Sequence, residues 1–137
     1  MKRIAPILLA VLALVFSSLA CEALSTEMSL ENLRMAYDED GNQVTSTFSS
    51  TDVFYAVADL KNAPQGTAVM AKWIAVDVEN TDPELEFQEQ TIDITEESFS
   101  GTIYFQLSND DGWPSGTYRV DIYLNDALTQ SLEFTVE

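Results

Sequence analysis

The chain has 137 residues, with 23 Asp and Glu against six Lys and Arg and no histidine, a formal net charge of −17. Without histidine there is no Ser-His-Asp or Cys-His catalytic arrangement and no histidine-ligated zinc, and so few cations cannot neutralise a phosphate backbone, which excludes nucleic acid as a partner. The one cysteine, Cys21, allows no internal disulfide, so the core must hold by packing.

Lys2 and Arg3 open the chain, an apolar run from Ile4 to Phe16 follows with only Pro6 interrupting it, and Ser17-Ser18-Leu19-Ala20 lead to Cys21. This is the three-part layout of an export signal. The thirteen-residue run falls short of the roughly 20 apolar residues needed to cross about 30 Å of hydrocarbon. A plain secretory leader cut near Ala20 would leave an unpaired thiol in an oxidising compartment.

Small or apolar residues at Ser18 and Leu19, with Ala20 directly before Cys21, resemble the lipobox of bacterial lipoproteins, although Ser18 stands where Leu, Val or Ile is more usual. The resemblance implies that residues 1–20 are a lipoprotein signal peptide and that the Cys21 thiol receives a diacylglycerol and becomes the acylated first residue. Two or more acyl chains make a stable anchor, since each buried methylene contributes about 0.8 kcal/mol. Glu22 is not the aspartate that retains many such proteins in the inner membrane. All 23 acids and only four bases follow Cys21, a net charge of −19 for that part. Anionic headgroups repel such a domain, so the expectation is an extracytoplasmic domain held to the cell envelope by its lipid and standing off the membrane. The same acidity also serves solubility.

Residues 21–31 are small, polar and acidic and read as a tether; residues 32–137 read as one domain. From there the apolar period is two. Leu33, Met35 and Tyr37 alternate with polar residues, Asp38-Glu39-Asp40-Gly41-Asn42 supplies a turn, and Val44 to Phe48 is expected to return as a strand. Val53 to Leu60 is apolar on both faces, which marks a central strand. Ala63-Pro64-Gln65-Gly66 fits a type I turn leading into a strand from Ala68 to Val78.

Leu85 and Phe87 fall on odd positions whereas Ile92 and Ile94 fall on even ones, so the segment from Glu84 to Ile94 must break, bulge or switch sheets. Ile103, Phe105 and Leu107 alternate with Thr102, Tyr104 and Gln106, and Asn109-Asp110-Asp111-Gly112 turns the chain. In the last hairpin Tyr118, Val120, Ile122 and Leu124 are expected to face the same side as Leu128, Leu132, Phe134 and Val136, across a two-residue reversal at Asn125-Asp126. Only residues 24–34 and 95–99 carry any helical signal, and each is short.

Seven or eight short strands with regular turns predict an all-β antiparallel sandwich. Gly116-Thr117-Tyr118-Arg119-Val120 resembles the tyrosine corner of immunoglobulin-like domains, and Trp73 falls where such a domain places a core tryptophan. The resemblance implies an immunoglobulin-like sandwich in which Val120 takes the place of the second disulfide cysteine and Ala56 or Ala58 faces it. A lipocalin-like barrel is the alternative, with too few strands here to close well.

For catalysis the sequence offers little. An adjacent pair such as Glu96 and Glu97 is expected by chance among 23 acids, and no Gly-rich phosphate loop is present; the chain reads as a non-enzyme. The candidate metal is calcium at Asp38, Asp40 and Asn42, oxygen ligands at alternate positions of one turn, though the sixth and twelfth loop positions hold Gln43 and Ser49 instead of Gly and Glu. Tyr55, Tyr104 and Tyr123, opposite the apolar rows, are the candidate partner surface. Trp113 reads as a plug at one end of the sandwich. The function expected is a membrane-anchored, non-catalytic binding or accessory module. A purely structural envelope protein, an exported inhibitor or solute-binding protein, or a calcium-dependent binding domain is the alternative.

Overall fold

The computed structural model describes residues 27–137; the leader, Cys21 and most of the tether lie outside the described residues. Eight strands run in the order β1 (Ser29–Ala36), β2 (Thr47–Phe48), β3 (Phe54–Pro64), β4 (Ala68–Val78), β5 (Leu85–Asp93), β6 (Ser98–Leu107), β7 (Gly116–Leu124) and β8 (Ala127–Val136). They form two sheets, β1-β3-β6 and β2-β8-β7-β4-β5, antiparallel except where β2 runs parallel to β8. No helix occurs among the described residues, and the two segments with helical signal contribute to β1 and β6 instead. The two-sided apolar strand β3 is central in its sheet, as its composition predicts.

Aromatic rings fill the space between the sheets. Phe54 sits at their centre, 4.4 Å from Trp113, 4.8 Å from Phe134 and 4.9 Å from Phe48 between ring centroids. Trp73, Val120, Ala56 and Ala58 are buried in the same core, so packed apolar side chains occupy the region where related sandwiches carry a disulfide. The Trp73 indole N–H donates to Gln90 Oε1 (2.9 Å), and Gln90 Nε2 donates to the Gln106 carbonyl (2.8 Å), which ties β5 to β6 across the open side of the sandwich. Tyr118 is 2 % exposed and its hydroxyl donates to the Pro114 carbonyl at 2.6 Å, the hydrogen bond of a tyrosine corner.

Five of the six ladders contain one bulge each, and these decide which faces the side chains take. On β5 the pairs Trp73↔Gln88 and Ile74↔Glu86 leave Phe87 as the extra residue, which resolves the change of parity between Phe87 and Ile92 within one strand. On β8 the pairs Ile122↔Gln130 and Tyr123↔Leu128 leave Thr129 extra. Leu128 therefore turns outward and is 58 % exposed, contrary to the uniform apolar row expected for that strand. Leu132, Phe134 and Val136, beyond the bulge, keep the inward face.

Three further expectations are corrected. Strand β1 begins at Ser29, inside the segment read as tether, because Leu30 is buried and pairs with Leu60. Its own bulge between Glu31 and Arg34, with Asn32 at φ 55°, changes the face between Leu30 and Met35. The turn after Tyr37 does not return as a full hairpin strand. It makes one bridge, Ala36↔Val44, and then crosses to β8 so that Phe48 enters the aromatic core. The turn after β3 is Pro64-Gln65-Gly66-Thr67, one residue later than expected, with Gly66 at φ 90° in the third position, the geometry of type II rather than type I.

Candidate functional site

The ends of the sandwich differ. The chain enters beside the turns at 65–67 and 125–126: Asn62 donates to the Glu27 carbonyl (3.2 Å), Thr67 Oγ1 lies 3.7 Å from Met28 Sδ, and Asn125 N–H donates to the Ala68 carbonyl (2.9 Å). The opposite end gathers the β2–β3, β4–β5 and β6–β7 connections. There Trp113 N–H donates to the Ser50 carbonyl at 2.7 Å, and Glu79 N–H to the Ser115 carbonyl at 3.2 Å.

An apolar pocket of about 230 Å³ opens at this far end, walled chiefly by Leu85, Phe87, Trp113, Pro114 and Tyr118, with Thr81 and Asn109 as its polar members. Trp113 is the plug expected from sequence, 8 % exposed, and also forms one wall of the pocket. Its indole is fixed by stacking on Phe54 and by donating to the Asp52 carbonyl at 3.0 Å. The bulge at Phe87 turns that ring to within 6.1 Å of Trp113 and 6.0 Å of Tyr118, centroid to centroid. Glu84, at φ 57°, holds an unusual left-handed conformation for a residue that is neither Gly nor Asn. Its carboxylate accepts two hydrogen bonds from Arg119 Nη1 (2.9 and 3.0 Å).

Burial holds the Tyr118 hydroxyl above the usual tyrosine range. Hydrogen bonds to Asp121 and then Glu84 raise Arg119 further above its already high value. Arg119 is the bridge between pocket rim and sheet face, because its Nε donates to Asp121 Oδ1 (2.9 Å), which also accepts from Ser131 Oγ (2.7 Å). Asp121 is 7 % exposed, a buried carboxylate satisfied by these partners.

Asp38, Asp40 and Asn42 share one turn, as expected, but the turn is built around other partners. Both Asp38 carboxylate oxygens accept backbone N–H groups, from Gln43 (2.9 Å) and Asn42 (3.2 Å). The Gly41 and Asp40 carbonyls accept from the Arg34 guanidinium (2.9 and 3.1 Å), so a cation already fills the inside of the turn. Among the described residues no three His, Cys, Asp or Glu side chains cluster.

The structure brings Tyr55 and Tyr104 together, 6.1 Å between centroids on the outer face of β3 and β6. The Glu39 carboxylate beside Tyr104 raises the pKa of its hydroxyl. Tyr123 lies on β7 in the other sheet, with Lys72 Nζ 5.0 Å above its ring, so the three tyrosines are not one surface. Cys21 lies outside the described residues.

Sequence reading missed the pocket, Gln90 as an inter-sheet link, and the Glu84–Arg119–Asp121 network. The signal available was the turn chemistry of Asn80 to Glu84 together with Asp111-Gly112-Trp113-Pro114. An alternating up-and-down strand order would have placed both loops at one end.

No family model matches the chain, and no curated protein matches it significantly. Solved structures do. An immunoglobulin-like protein from Pseudomonas aeruginosa aligns with a TM-score of 0.56 at 13% identity, covering 83% of this chain and 99% of that one. An alkylpurine DNA glycosylase from Pseudomonas fluorescens aligns at 0.52 and 14% identity over 82% of this chain. A β-glucosidase from Listeria innocua aligns at 0.51 and 13% identity over 81%. The chain spans only 31% of the glycosylase and 16% of the glucosidase, so it matches a part of each enzyme. At these identities the likeness shows the fold alone, and that fold is an all-β immunoglobulin-like sandwich.

Proposed function

We propose that this chain is a lipid-anchored, extracytoplasmic binding or accessory module without catalytic activity, tied to the membrane through Cys21 and presenting the far end of its sandwich. The observation that carries the reading is polarity of the fold. The chain enters the sandwich next to the 65–67 and 125–126 turns, and the preformed aromatic pocket lies at the other end. A tether from Cys21 to Glu27 would thus point the pocket away from the membrane.

The absence of histidine, and the commitment of Thr81 Oγ1 to the Glu79 carbonyl and of Asn109 Nδ2 to the Gly112 carbonyl, support a binding rather than a chemical role. Two measurements test it. Intact-mass analysis of the native protein is expected to find an acylated Cys21 as the first residue; a bare thiol, or protein released freely into the medium, overturns the anchor. Leu85→Ser together with Asp110→Asn and Asp111→Asn, changes at exposed positions that leave the buried Trp113 in place, should abolish the cellular role while leaving membrane attachment intact. Retention of that role would show a purely structural protein.

A further inference from the structure

The geometry points to a ligand class for the far-end pocket: one apolar side chain carried by a basic segment of a partner polypeptide. This rests on the reading of that end as the binding end. At about 230 Å³ the pocket falls below the roughly 300–1,000 Å³ that holds a whole drug-sized ligand. It is sized for one bulky side chain. Its walls contain no charged residue, and Leu85 at its mouth is 43 % exposed, a large apolar group left in water beside an open cavity.

Acidic side chains outnumber the rim's cation, Arg119, around that mouth. The β4–β5 loop carries Glu79, Asp82 and Glu84, and the β6–β7 loop carries Asp110 and Asp111, all exposed. These loops line the pocket from both sides. The neighbouring cation, Arg119, is committed to Glu84 and Asp121. Elsewhere among the described residues Arg34, Lys61 and Lys72 are likewise paired, with Asp59, Glu31 and Glu86, so the carboxylates of Glu79, Asp82, Asp110 and Asp111 set the field at the mouth. An apolar socket between two acidic loops is complementary to an apolar side chain with Lys or Arg on either side of it in sequence, an arrangement found in a polypeptide rather than in a small amine. The socket is ready before the ligand arrives. Trp113 is fixed at both its backbone and indole N–H, and Glu84 is pinned by Arg119, so little ordering cost remains on this side.

The test uses the full processed chain in micelles of an uncharged detergent and three acetylated, amidated heptapeptides: a central leucine flanked by three lysines on each side, the same with a central alanine, and the leucine peptide with glutamates replacing lysines. Amide and indole shifts in the NMR spectrum locate binding. The leucine–lysine peptide is expected to move Thr81, Leu85, Phe87, Asn109 and the Trp113 indole. The alanine peptide should bind about tenfold or more weakly, and the glutamate peptide not at all. Leu85→Ser, a change at an exposed position that spares the core, should weaken binding several-fold. Asp110→Asn with Asp111→Asn should weaken it and flatten its salt dependence. Equal affinity for the leucine and alanine peptides, shifts centred on Tyr55 and Tyr104 instead, or no shifts at all would overturn the inference. An acylated Cys21 with no peptide binding refutes this inference alone, whereas peptide binding by a chain with a bare Cys21 refutes only the anchor.

Discussion

Tyr118 carries two duties at once, since its ring stacks on Phe134 at 5.6 Å while its hydroxyl closes the corner onto Pro114. Tyr118→Phe keeps the ring and removes one hydrogen bond, so denaturant melts should show a loss of about 0.5–1.5 kcal/mol. The pH dependence follows from burial. The folded-state pKa of Tyr118 is raised, so the folded state holds the proton more tightly than the unfolded state does. That contribution is complete below the unfolded value near 10 and is lost as pH climbs through the folded one. Alkaline unfolding should accordingly be shallower in the phenylalanine variant.

Asp38 is a second residue whose role is local. With both oxygens accepting backbone N–H groups, Asp38→Ala should cost about 1–2 kcal/mol, equally in calcium and in chelator. Calcium itself should shift the wild-type melting temperature by less than about one degree, because the Asp38 oxygens and the Asp40 and Gly41 carbonyls are already engaged. A larger shift would establish calcium binding, with Asp38, Asp40 and Asn42 the candidate ligands.

At the level of the strand, the bulges matter more than the regular stretches. Alternation predicted β4 and β7 closely and β3 and β6 in part, because a half-buried strand must alternate and a central one must be apolar on both sides; β3 runs on to Pro64 and β6 starts back at Ser98. The same reasoning misplaced Leu128, since one inserted residue, Thr129, reverses every face before it. Gly116, at φ 150°, opens β7 where a Cβ would strike the Asp77 carbonyl across the ladder. Gly116→Ala should lower stability by about 2–4 kcal/mol, through strain and overpacking together. Gln90→Ala should cost about 1–3 kcal/mol by leaving the buried Trp73 indole N–H unpaired. A loss of only a few tenths by chemical denaturation would mean that water replaces the amide.

Across the whole molecule the dominant long-range force is self-repulsion, with a net charge of −19 after Cys21. The surface ion pairs offset little of it, because exposed pairs contribute about 0–1 kcal/mol each. Raising sodium chloride from low to physiological concentration should therefore raise the melting temperature, as screening shortens to about 8 Å. A fall would show that the Glu84–Arg119–Asp121 network outweighs the repulsion. The same charge lies along the unpaired edge of β5, where exposed Glu86, Glu89 and Asp93 oppose edge-to-edge pairing by like-charge repulsion.

By itself the sequence determined the class of fold and most of its strands, because a two-residue period, turn residues with positive φ such as Asn125 (48°) and Asp126 (69°), and the Tyr118 corner are local properties. The order of Lys2 and Arg3, the apolar run from Ile4 to Phe16 and Cys21 is likewise a property of the sequence, and the anchor proposal stands on it. Only the tertiary structure decided the bulge positions, the crossing of β2 to β8, the separation of Tyr123 from Tyr55 and Tyr104, and the meeting of residues 79–87 with 109–118 in one pocket. Each of these depends on which distant strands pair and in what register. That choice is made by the packing of Phe54, Trp73, Trp113 and Phe134 across two sheets, and no local pattern encodes it.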